Sequence, residues 1–428
     1  MKKFRYQLDQ RIPIVEVVVY GIQWAVMLFP GLLIITDIAA GVLNLNIVGK
    51  AHFFQYLLVI SGTFTVLQTL WGHRYPIQEG PSTAVLLAYI GIVPYGIRAI
   101  QGGLIAGGLS ILLIGLSRQT RKLNQYFTPN VTGVILLLIA FCLLPFLLPR
   151  LLGVSSQNPS GSYFIAAVSF ALIIFIALLS HWLSGYLQTT AVLLGVIAGY
   201  IAFSVLGKID FKVIIETPWI ELPSHEWSST PQLFWPAIIS FVFAYLAVVI
   251  NTIGSIQGTA AVVGEREIEK SIDRGIALNG LGGIVAGLFG VVGTVSYSSS
   301  PGVVLATRIA SRYALTACGM FLIVIGLIPK LAAMFASVPG SVVGAALCVA
   351  IGFQIGAGID VITSHVKKLS ARDYLVIGLP LIVGTIVSMV PREFFAGLPT
   401  ALAVIVSNGL VLGIIMVLVL EHGLLRKK

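Results

Sequence analysis

Charged side chains are scarce in this chain. Only 10% of its 428 residues are Asp, Glu, Lys or Arg, whereas 57% are hydrophobic and the mean hydropathy is +0.99. Soluble domains carry about 25% charged residues, so this composition excludes an ordinary soluble domain. The apolar runs exceed the ~20 residues that cross a bilayer as a helix, and they recur to the C-terminus. The sequence therefore predicts an all-α polytopic membrane protein embedded in a lipid bilayer.

Cysteine is also scarce, and motifs for nucleotide binding or catalysis are missing. The three cysteines, Cys142, Cys318 and Cys348, lie in apolar segments, and no Cys–His pair has the spacing of a metal site. We interpret them as packing residues and expect no cofactor and no metal. The absence of a Walker-type phosphate loop argues against an ATP-driven pump. An enzyme is not expected either, since no Ser–His pair lies in the apolar segments.

The basic residues indicate an orientation. We predict fourteen hydrophobic segments, and this even number places both termini on one side. If that side is the cytoplasm, seven of the 26 basic residues fall on the outer face, namely Lys50, Arg98, Arg150, Lys208, Lys212, Lys330 and Arg392. Because Lys and Arg favour cytoplasmic loops, we predict a cell-membrane protein with cytoplasmic termini and with 218–227, including Ser224, outside. The net charge of +10 is dispersed over short loops, which gives no indication of a nucleic-acid partner.

One polar stretch interrupts the apolar segments. Residues 76–84 read PIQEGPSTA, so that Glu79, a Gly-Pro break, Ser82 and Thr83 stand between two long apolar runs. Irregular backbone at membrane depth is tolerated only inside protein or beside a water-filled cavity. An ionisable group at that depth is costly and marks a functional site. This stretch therefore indicates a transporter with Glu79 at its site.

Two short segments, the third (80–96) and the tenth (299–309), resemble each other. Residues 81–88 can be laid over 301–306 with an offset of 220 residues, from Pro81 to Pro301. Seven segments precede the eighth, so the second half would enter the membrane in the opposite direction, as an inverted repeat. Such transporters bind substrate near the midplane where short, interrupted helices meet. With this offset, Glu79 corresponds to residue 299.

Several motifs resemble those of the nucleobase–ascorbate transporters, the family that contains the bacterial uracil and xanthine permeases. The first segment contains Gly-Ile-Gln at 21–23, with Trp24 where the family has His. The stretch 218–223 (PWIELP) resembles the family's loop before the eighth span, and 129–133 (PNVTG) opens the fifth span in the family's manner. Residues 294–308 resemble the family's signature sequence, because Gly302 and the closing Thr307-Arg308 match it. The resemblance covers nearly the whole chain.

The resemblance implies a fold and an activity. The fold has fourteen transmembrane spans in a seven-plus-seven inverted repeat, with short β-strands before half-helices 3 and 10. Spans 1–4 and 8–11 form a core domain (14–118 and 234–336), and spans 5–7 and 12–14 form a gate domain (129–207 and 340–422). The implied activity is proton- or sodium-coupled uptake of uracil, xanthine, uric acid or a related base. Members of the family often form homodimers, which makes a homodimer possible for this chain.

The chain departs from the family where the family binds its base. A Glu of the eighth span aligns with Asn251, and a His often found four residues later aligns with Ser255. In the tenth span the family's Glu or Gln and its Asn align with Ser299 and Ser300, whereas Tyr297 matches the bacterial uracil permeases. Both usual substrate carboxylates are therefore absent. We expect Glu79, at the start of the third segment, to replace them.

These observations lead to one predicted site and several open alternatives. We expect Glu79 to carry the coupling proton, and the substrate-binding set to be Glu79, Ser82, Thr83, Asn251, Ser255, Tyr297, Ser299 and Ser300. An anion carrier of the sulfate-permease type would suit the helix N-termini and the missing acids. An uncoupled facilitator would be favoured by an exposed Glu79. The same residues also have structural interpretations, as helix caps, an interhelical hydrogen bond or a solvated rim carboxylate.

Overall fold

The structure is a computed structural model, and nearly all of its regular structure is helical. The residues that it describes are 4–154, 158–221, 230–265, 267–364 and 369–426. Ser224 and the end of the 218–227 segment, which the sequence predicts to be outside, lie beyond these described residues.

Twenty α-helices and two strands are assigned within the described residues, with short 3-10 helices at Val93–Tyr95 and Arg392–Phe395 and a π-helix at Leu420–Leu424. The helices of the first half are α1 (Ile14–Val42), α2 (Ile47–Leu70), α3 (Thr83–Ile92), α4 (Ile97–Leu116), α5 (Thr120–Asn124), α6 (Pro129–Phe141), α7 (Leu144–Leu152), α8 (Tyr163–Trp182), α9 (Tyr186–Thr189), α10 (Ala191–Val205) and α11 (Lys212–Glu216). Those of the second half are α12 (Trp235–Val263), α13 (Glu269–Leu288), α14 (Ser300–Thr307), α15 (Arg312–Gly326), α16 (Pro329–Ala336), α17 (Gly340–Thr363), α18 (Ala371–Met389), α19 (Thr400–Val406) and α20 (Gly409–Val419). The strands are β1 (Glu79–Pro81) and β2 (Thr294–Ser296).

The helices have the lengths and composition of a multi-pass membrane protein. Eight are long and apolar enough to cross a bilayer, counting α6 and α7 as one, and two bent pairs raise the number to ten. The bent pairs are α15–α16, at 87°, and α19–α20, at 80°. Each of the fourteen predicted segments contains a helix or a pair of helices. Since α3 and α10 are shorter apolar helices, the number of complete crossings remains a prediction.

The helices pack in two groups. In the first group α4 packs on α13 and α12, and α2 packs on α15, which also contacts α1. In the second group α17 packs on α6 and α8, and α18 packs on α6 and α20. Helices α1 and α12 contact the second group through α17, α10 and α19. The functional site described below lies in the first group.

Glycines allow the closest helix contacts in the first group. A Cβ atom added at Gly62 of α2 would lie 2.5 Å from the carbonyl oxygen of Gly319 on α15. A Cβ atom added at Gly108 of α4 would lie 2.7 Å from the carbonyl oxygen of Gly280 on α13. Small residues at such crossings allow backbones to approach closely, which is how helices associate in a membrane. Strand β1 contacts α2 and α1, and strand β2 contacts α12, α13 and α2.

Candidate functional site

Two polar stretches of the sequence meet as paired strands. Their first residues, Glu79 of β1 and Thr294 of β2, are 215 residues apart along the chain. Strands β1 and β2 are antiparallel, with Glu79 opposite Ser296 and Pro81 opposite Thr294. The amide of Ser82 extends the pairing by donating to the carbonyl of Gly293 at 2.8 Å. The short strands thus satisfy their backbone groups within the protein, as non-helical chain at membrane depth must. Strands stand before the two short helices, as the family resemblance implies.

Each strand leads into a short helix. The Ser82 hydroxyl caps α3 by accepting from the Val85 amide at 3.3 Å, which is the usual role of Ser at this position. Ser299 occupies the corresponding position of α14, but it is exposed and its side chain makes no cap hydrogen bond. Ser300 is buried, and its hydroxyl accepts from the Gln78 amide at 3.2 Å.

The starts of the two short helices do not fit the predicted offset of 220 residues. Superposing the first residues of α3 and α14 aligns Ser82 with Ser299, an offset of 217 residues rather than the predicted 220. With this offset Glu79 corresponds to Ser296, and the two residues also face each other in the strand pair. The predicted correspondence of Glu79 with Ser299 is therefore wrong. Each short helix follows a serine, Ser82 or Ser299, but Pro81 precedes its serine whereas Pro301 follows its own.

The Glu79 carboxylate is fully buried and hydrogen-bonded. Its side chain is 0% exposed, which rules out the solvated rim position. Its Oε2 accepts from Nδ2 of Asn279 on α13 at 2.6 Å, and its Oε1 accepts from Oγ of Ser296 at 2.5 Å. The Asn279 amide is itself oriented, because its Oδ1 accepts from the Thr252 hydroxyl of α12 at 2.8 Å. The carboxylate thus connects β1, β2, α12 and α13.

A histidine that sequence reasoning missed completes this cluster. His73 is also 0% exposed, and its Nδ1 accepts from the Tyr75 amide at 3.0 Å. A neutral imidazole whose Nδ1 accepts a hydrogen bond carries its proton on Nε2. The Nε2 atom lies 3.6 Å from Oε1 of Glu79. The sequence offered two signals, since His73 stands six residues before Glu79 and Asn279 is a polar residue within the apolar stretch 275–288.

A second, more accessible face lies beside the start of α14. Ser298 and Ser299 are exposed, and Asn251 on α12 is half-buried. Asn251 is one turn before Ser255, whose buried hydroxyl lies 2.9 Å from the Ser296 carbonyl. Residues four apart on a helix share a face, so Asn251 is on the side of α12 that meets β2. Gly254, three residues after Asn251, is also exposed.

Tyr297 lies against the strand pair. A Cβ atom at Gly80 would be 2.5 Å from Cζ of its ring, and one at Gly31 of α1 would be 3.1 Å from its hydroxyl oxygen. The hydroxyl donates to the Pro81 carbonyl at 3.3 Å. Successive residues of an extended chain face opposite sides, so Tyr297 and Ser296 project away from each other. The ring is half-buried, and both glycines are required for its position.

The predicted substrate set therefore divides into three parts. Asn251, Thr83, Tyr297 and Ser299 are at least partly accessible. Ser82, Ser255 and Ser300 are buried and already bonded to the backbone. Glu79 has no exposed surface, and its carboxylate contacts Ser296 rather than Ser299.

The chemistry around the carboxylate consists of hydrogen-bond donors. An amide N–H and a hydroxyl point at its two oxygens, and an imidazole N–H is close by. Among the described residues no group of three or more His, Cys, Asp or Glu side chains could hold a metal ion.

Two cavities lie elsewhere in the described part of the chain. One of about 340 Å³ is lined by Gly91, Tyr95 and Arg392 among others, near the end of α3. The other, of about 280 Å³, is lined by residues that include His52 and Glu216. Neither is lined by the predicted substrate residues.

Comparisons with known proteins agree on the type of protein and on the fold. A model of a family described as "Permease family" matches residues 15–393. The uric acid permease PucK of Bacillus subtilis is 29% identical over 93% of each chain, and the uric acid permease PucJ of the same organism is 27% identical over 93% of this chain and 90% of its own. Among solved structures, the transmembrane domain of the cyanobacterial bicarbonate transporter BicA superposes with a TM-score of 0.65. It is 16% identical, and the match covers 90% of this chain and 99% of that one.

Proposed function

Because the chain belongs to this permease family, that of the nucleobase–ascorbate transporters, we propose that it is a secondary transporter that imports a nucleobase. It is a multi-pass membrane protein and not an enzyme. The observation that carries the proposal is the strand pair at the starts of α3 and α14, with the partly accessible Asn251 beside it. We expect the substrate to be a purine such as uric acid or xanthine, with uracil as the pyrimidine alternative.

The accessible face suits the edge of a base. A purine edge alternates N–H donors with C=O acceptors. Backbone N–H groups at the start of α14 can meet the carbonyl oxygens, helped by the positive end of the helix. Asn251 offers a donor and an acceptor together, and Ser299 and Thr83 add hydroxyls. A buried polar group left unpaired costs roughly 1–3 kcal/mol, so this face would discriminate between bases.

We propose that Glu79 binds the coupling proton without touching the base. The burial of Glu79 supports this role. Substrate can contact only groups with exposed surface, and Glu79 has no exposed surface. The carboxylate bonds to Ser296 at 2.5 Å, and the chain continues from Ser296 through Tyr297 to the accessible Ser299. Protonation would replace an acceptor by a donor at this bond and would thus act on the start of α14.

Alternating access between a core and a gate is the mechanism we propose. The core would comprise 14–118 and 234–336, and the gate 129–207 and 340–422, within fourteen spans and with cytoplasmic termini. The antiparallel strand pair and the reciprocal packing of α4 on α13 and of α2 on α15 support an inverted repeat. In such a repeat α2 corresponds to α13, α4 to α15 and β1 to β2. The packing of α2 on α15 is then the counterpart of the packing of α13 on α4.

The contacts between core and gate suggest an inward-open conformation. Nε of Arg150 at the end of α7, in the gate, contacts Oδ2 of Asp37 on α1, in the core, at 2.6 Å. Within the core, Lys50 of α2 contacts the same carboxylate at 2.7 Å. Nη2 of Arg392 donates to the Ile90 carbonyl of α3 at 2.6 Å. These contacts lie at the ends predicted to be outer. Residues toward the other end, such as Leu305 of α14, are exposed.

An anion carrier is the second candidate. The likeness to BicA extends to the fold alone, and the helix N-termini would suit an anion. A site for a bare anion would gain from a basic side chain, and the accessible face carries none among Asn251, Thr83, Tyr297 and Ser299. The uncoupled facilitator loses its support, since that alternative rested on an exposed Glu79 and the side chain is 0% exposed.

A thermal-shift screen tests the proposed function. We expect uric acid or xanthine to raise the Tm of the purified protein, and bicarbonate and sulfate to leave it unchanged. Asn251→Ala should weaken base binding by about 1–3 kcal/mol, or roughly 5- to 150-fold. Gly352→Ala on α17, where an added Cβ meets open space, is the control. Stabilisation by an anion and by none of the bases would refute the proposal.

A further inference from the structure

The buried His73 has an unused donor. Its Nε2 is enclosed by protein and has no hydrogen-bond partner among the described residues. Its distance to Oε1 of Glu79 is 3.6 Å, which is just beyond hydrogen-bonding distance. Buried polar groups are nearly always paired, so an unpaired one calls for an explanation.

The loop around His73 orients the ring toward the carboxylate. The His73 amide donates to Oε1 of Gln68 at 3.3 Å, and Nε2 of Gln68 in turn donates to the Gly275 carbonyl of α13 at 2.8 Å. The Tyr75 amide holds Nδ1. Arg74, between His73 and Tyr75, is exposed and has a left-handed backbone, with φ 64°. The turn thus directs Arg74 outward and His73 toward the carboxylate.

We propose that His73 is a positioning residue of the proton site, whose Nε2–H closes onto Oε1 of Glu79 when that carboxyl group loses its proton. The inference rests on the proposed function, because it assigns a third donor to the proposed proton-binding carboxylate. The proton is bound and released at Glu79 alone. The imidazole remains neutral throughout, since Nδ1 accepts from the Tyr75 amide and cannot also hold a proton.

The distances agree with this role. Asn279 and Ser296 already donate at 2.6 and 2.5 Å, so a small approach of His73 would give the ionised carboxylate a third donor. A carboxylate is stabilised by each hydrogen bond made to its charged form. When Glu79 is protonated the Nε2–H is left without a partner, which disfavours that state. His73 therefore promotes release of the proton.

The other ionisable groups near the pair are engaged elsewhere. Tyr75 lies beside His73 with ring centroids 6.4 Å apart. The Tyr297 hydroxyl donates to the Pro81 carbonyl, and the Cys318 sulfur on α15 contacts the Gln78 amide at 3.8 Å. Helices α2 and α12 present neutral groups there, including Thr65 and Thr252.

Arg312 of α15 is a buried cation on a helix that packs against α2. Its Nη1 donates to the Thr69 carbonyl at 3.0 Å and its Nε contacts Asp9 at 2.7 Å. Of the basic side chains in the described part of the chain, His73 alone contacts Glu79 within ion-pair distance. A change at His73 should therefore dominate the titration of the carboxyl group.

Infrared titration of the detergent-purified protein tests the inference without any substrate. The carbonyl stretch of protonated Glu79 is identified as the band that Glu79→Gln removes, and its midpoint pH is measured. His73→Phe keeps a planar ring and loses the donor, so the midpoint should rise by about one pH unit, which corresponds to one charge-assisted hydrogen bond. His73→Gln, which retains an N–H donor, should restore the midpoint in large part.

Two controls separate this role from a structural one. His52→Phe changes a histidine of α2 that lies by the cavity near Glu216, and it should leave the midpoint unchanged. If His73→Phe does not fold, the comparison of His73→Gln with His73→Leu replaces it. An unshifted midpoint in folded His73→Phe or His73→Leu protein would overturn the inference. Failure of every base to bind would refute the proposed function, whereas the titration would still decide the role of His73.

Discussion

Glu79→Gln is the substitution that separates substrate binding from proton coupling. The amide keeps the size of the side chain, and its Oε1 can accept from Asn279 as the carboxylate does at 2.6 Å. Its Nε2 would meet the Ser296 hydroxyl, now at 2.5 Å from a carboxylate oxygen, and this hydroxyl can turn to accept. The variant therefore imitates the protonated carboxyl group without being able to release a proton.

The expected accumulation of the base follows from the pH gradient applied across the membrane. One pH unit across the membrane is worth 1.36 kcal/mol per proton, so a transporter that moves one proton with each base sustains a substrate gradient of about tenfold. Wild-type protein in proteoliposomes should approach that value. Glu79→Gln should equilibrate the base to a ratio of about one, while its substrate affinity stays within about threefold, since the accessible face is unchanged.

Uptake of a labelled purine with and without a pH gradient is the assay, alongside equilibrium binding. Glu16→Gln is the matched control, because Glu16 is a carboxylate of α1 bonded to Tyr6 and Tyr20, far along the chain from the strand pair. Gradient-dependent accumulation by Glu79→Gln would refute the reasoning. Loss of binding with retained coupling would instead make Glu79 a substrate ligand.

Three further predictions concern the fold. Arg150→Gln removes the 2.6 Å contact with α1 and should increase outside labelling of a cysteine at Ser299 severalfold; unchanged labelling would contradict a closed outer end. Gly108→Val places its Cβ 2.7 Å from a carbonyl of α13 and should lower the Tm by several degrees, whereas Gly254→Ala, which meets open space, should not; equal Tm values would contradict the close packing. A cysteine at Lys208 should react with an impermeant reagent added outside; protection there would reverse the predicted orientation.

The helical architecture could be predicted because a bilayer imposes simple rules on sequence. Long apolar runs mark helices, and Gly, Pro and Ser mark the breaks at 76–84 and before α14. The same rule located Glu79, since a carboxylate between two such runs must be enclosed. Its complete burial and the pairing of its strand with β2 agree with that reasoning.

The partners of Glu79 could not be predicted with the same certainty. Asn279 and Ser296 are 200 and 217 residues away along the chain, and only the packing of α13 and β2 brings them to the carboxylate. The predicted repeat alignment places the two prolines together, whereas the first residues of α3 and α14 are 217 residues apart. His73 escaped notice because its position before β1 resembles that of an ordinary loop residue. Ser255 and Ser300 were assigned to the substrate from alignment, but their hydroxyls bond to backbone.

The most direct test of the central claim is uptake by the purified protein reconstituted into liposomes. Labelled xanthine or uric acid is offered outside, with the interior made one pH unit more alkaline. Proton-coupled import of a nucleobase predicts that the base accumulates to about tenfold, that an ionophore collapsing the gradient abolishes this, and that excess unlabelled base competes while bicarbonate does not. Absence of base uptake under the gradient, together with saturable uptake of bicarbonate or sulfate, would contradict it.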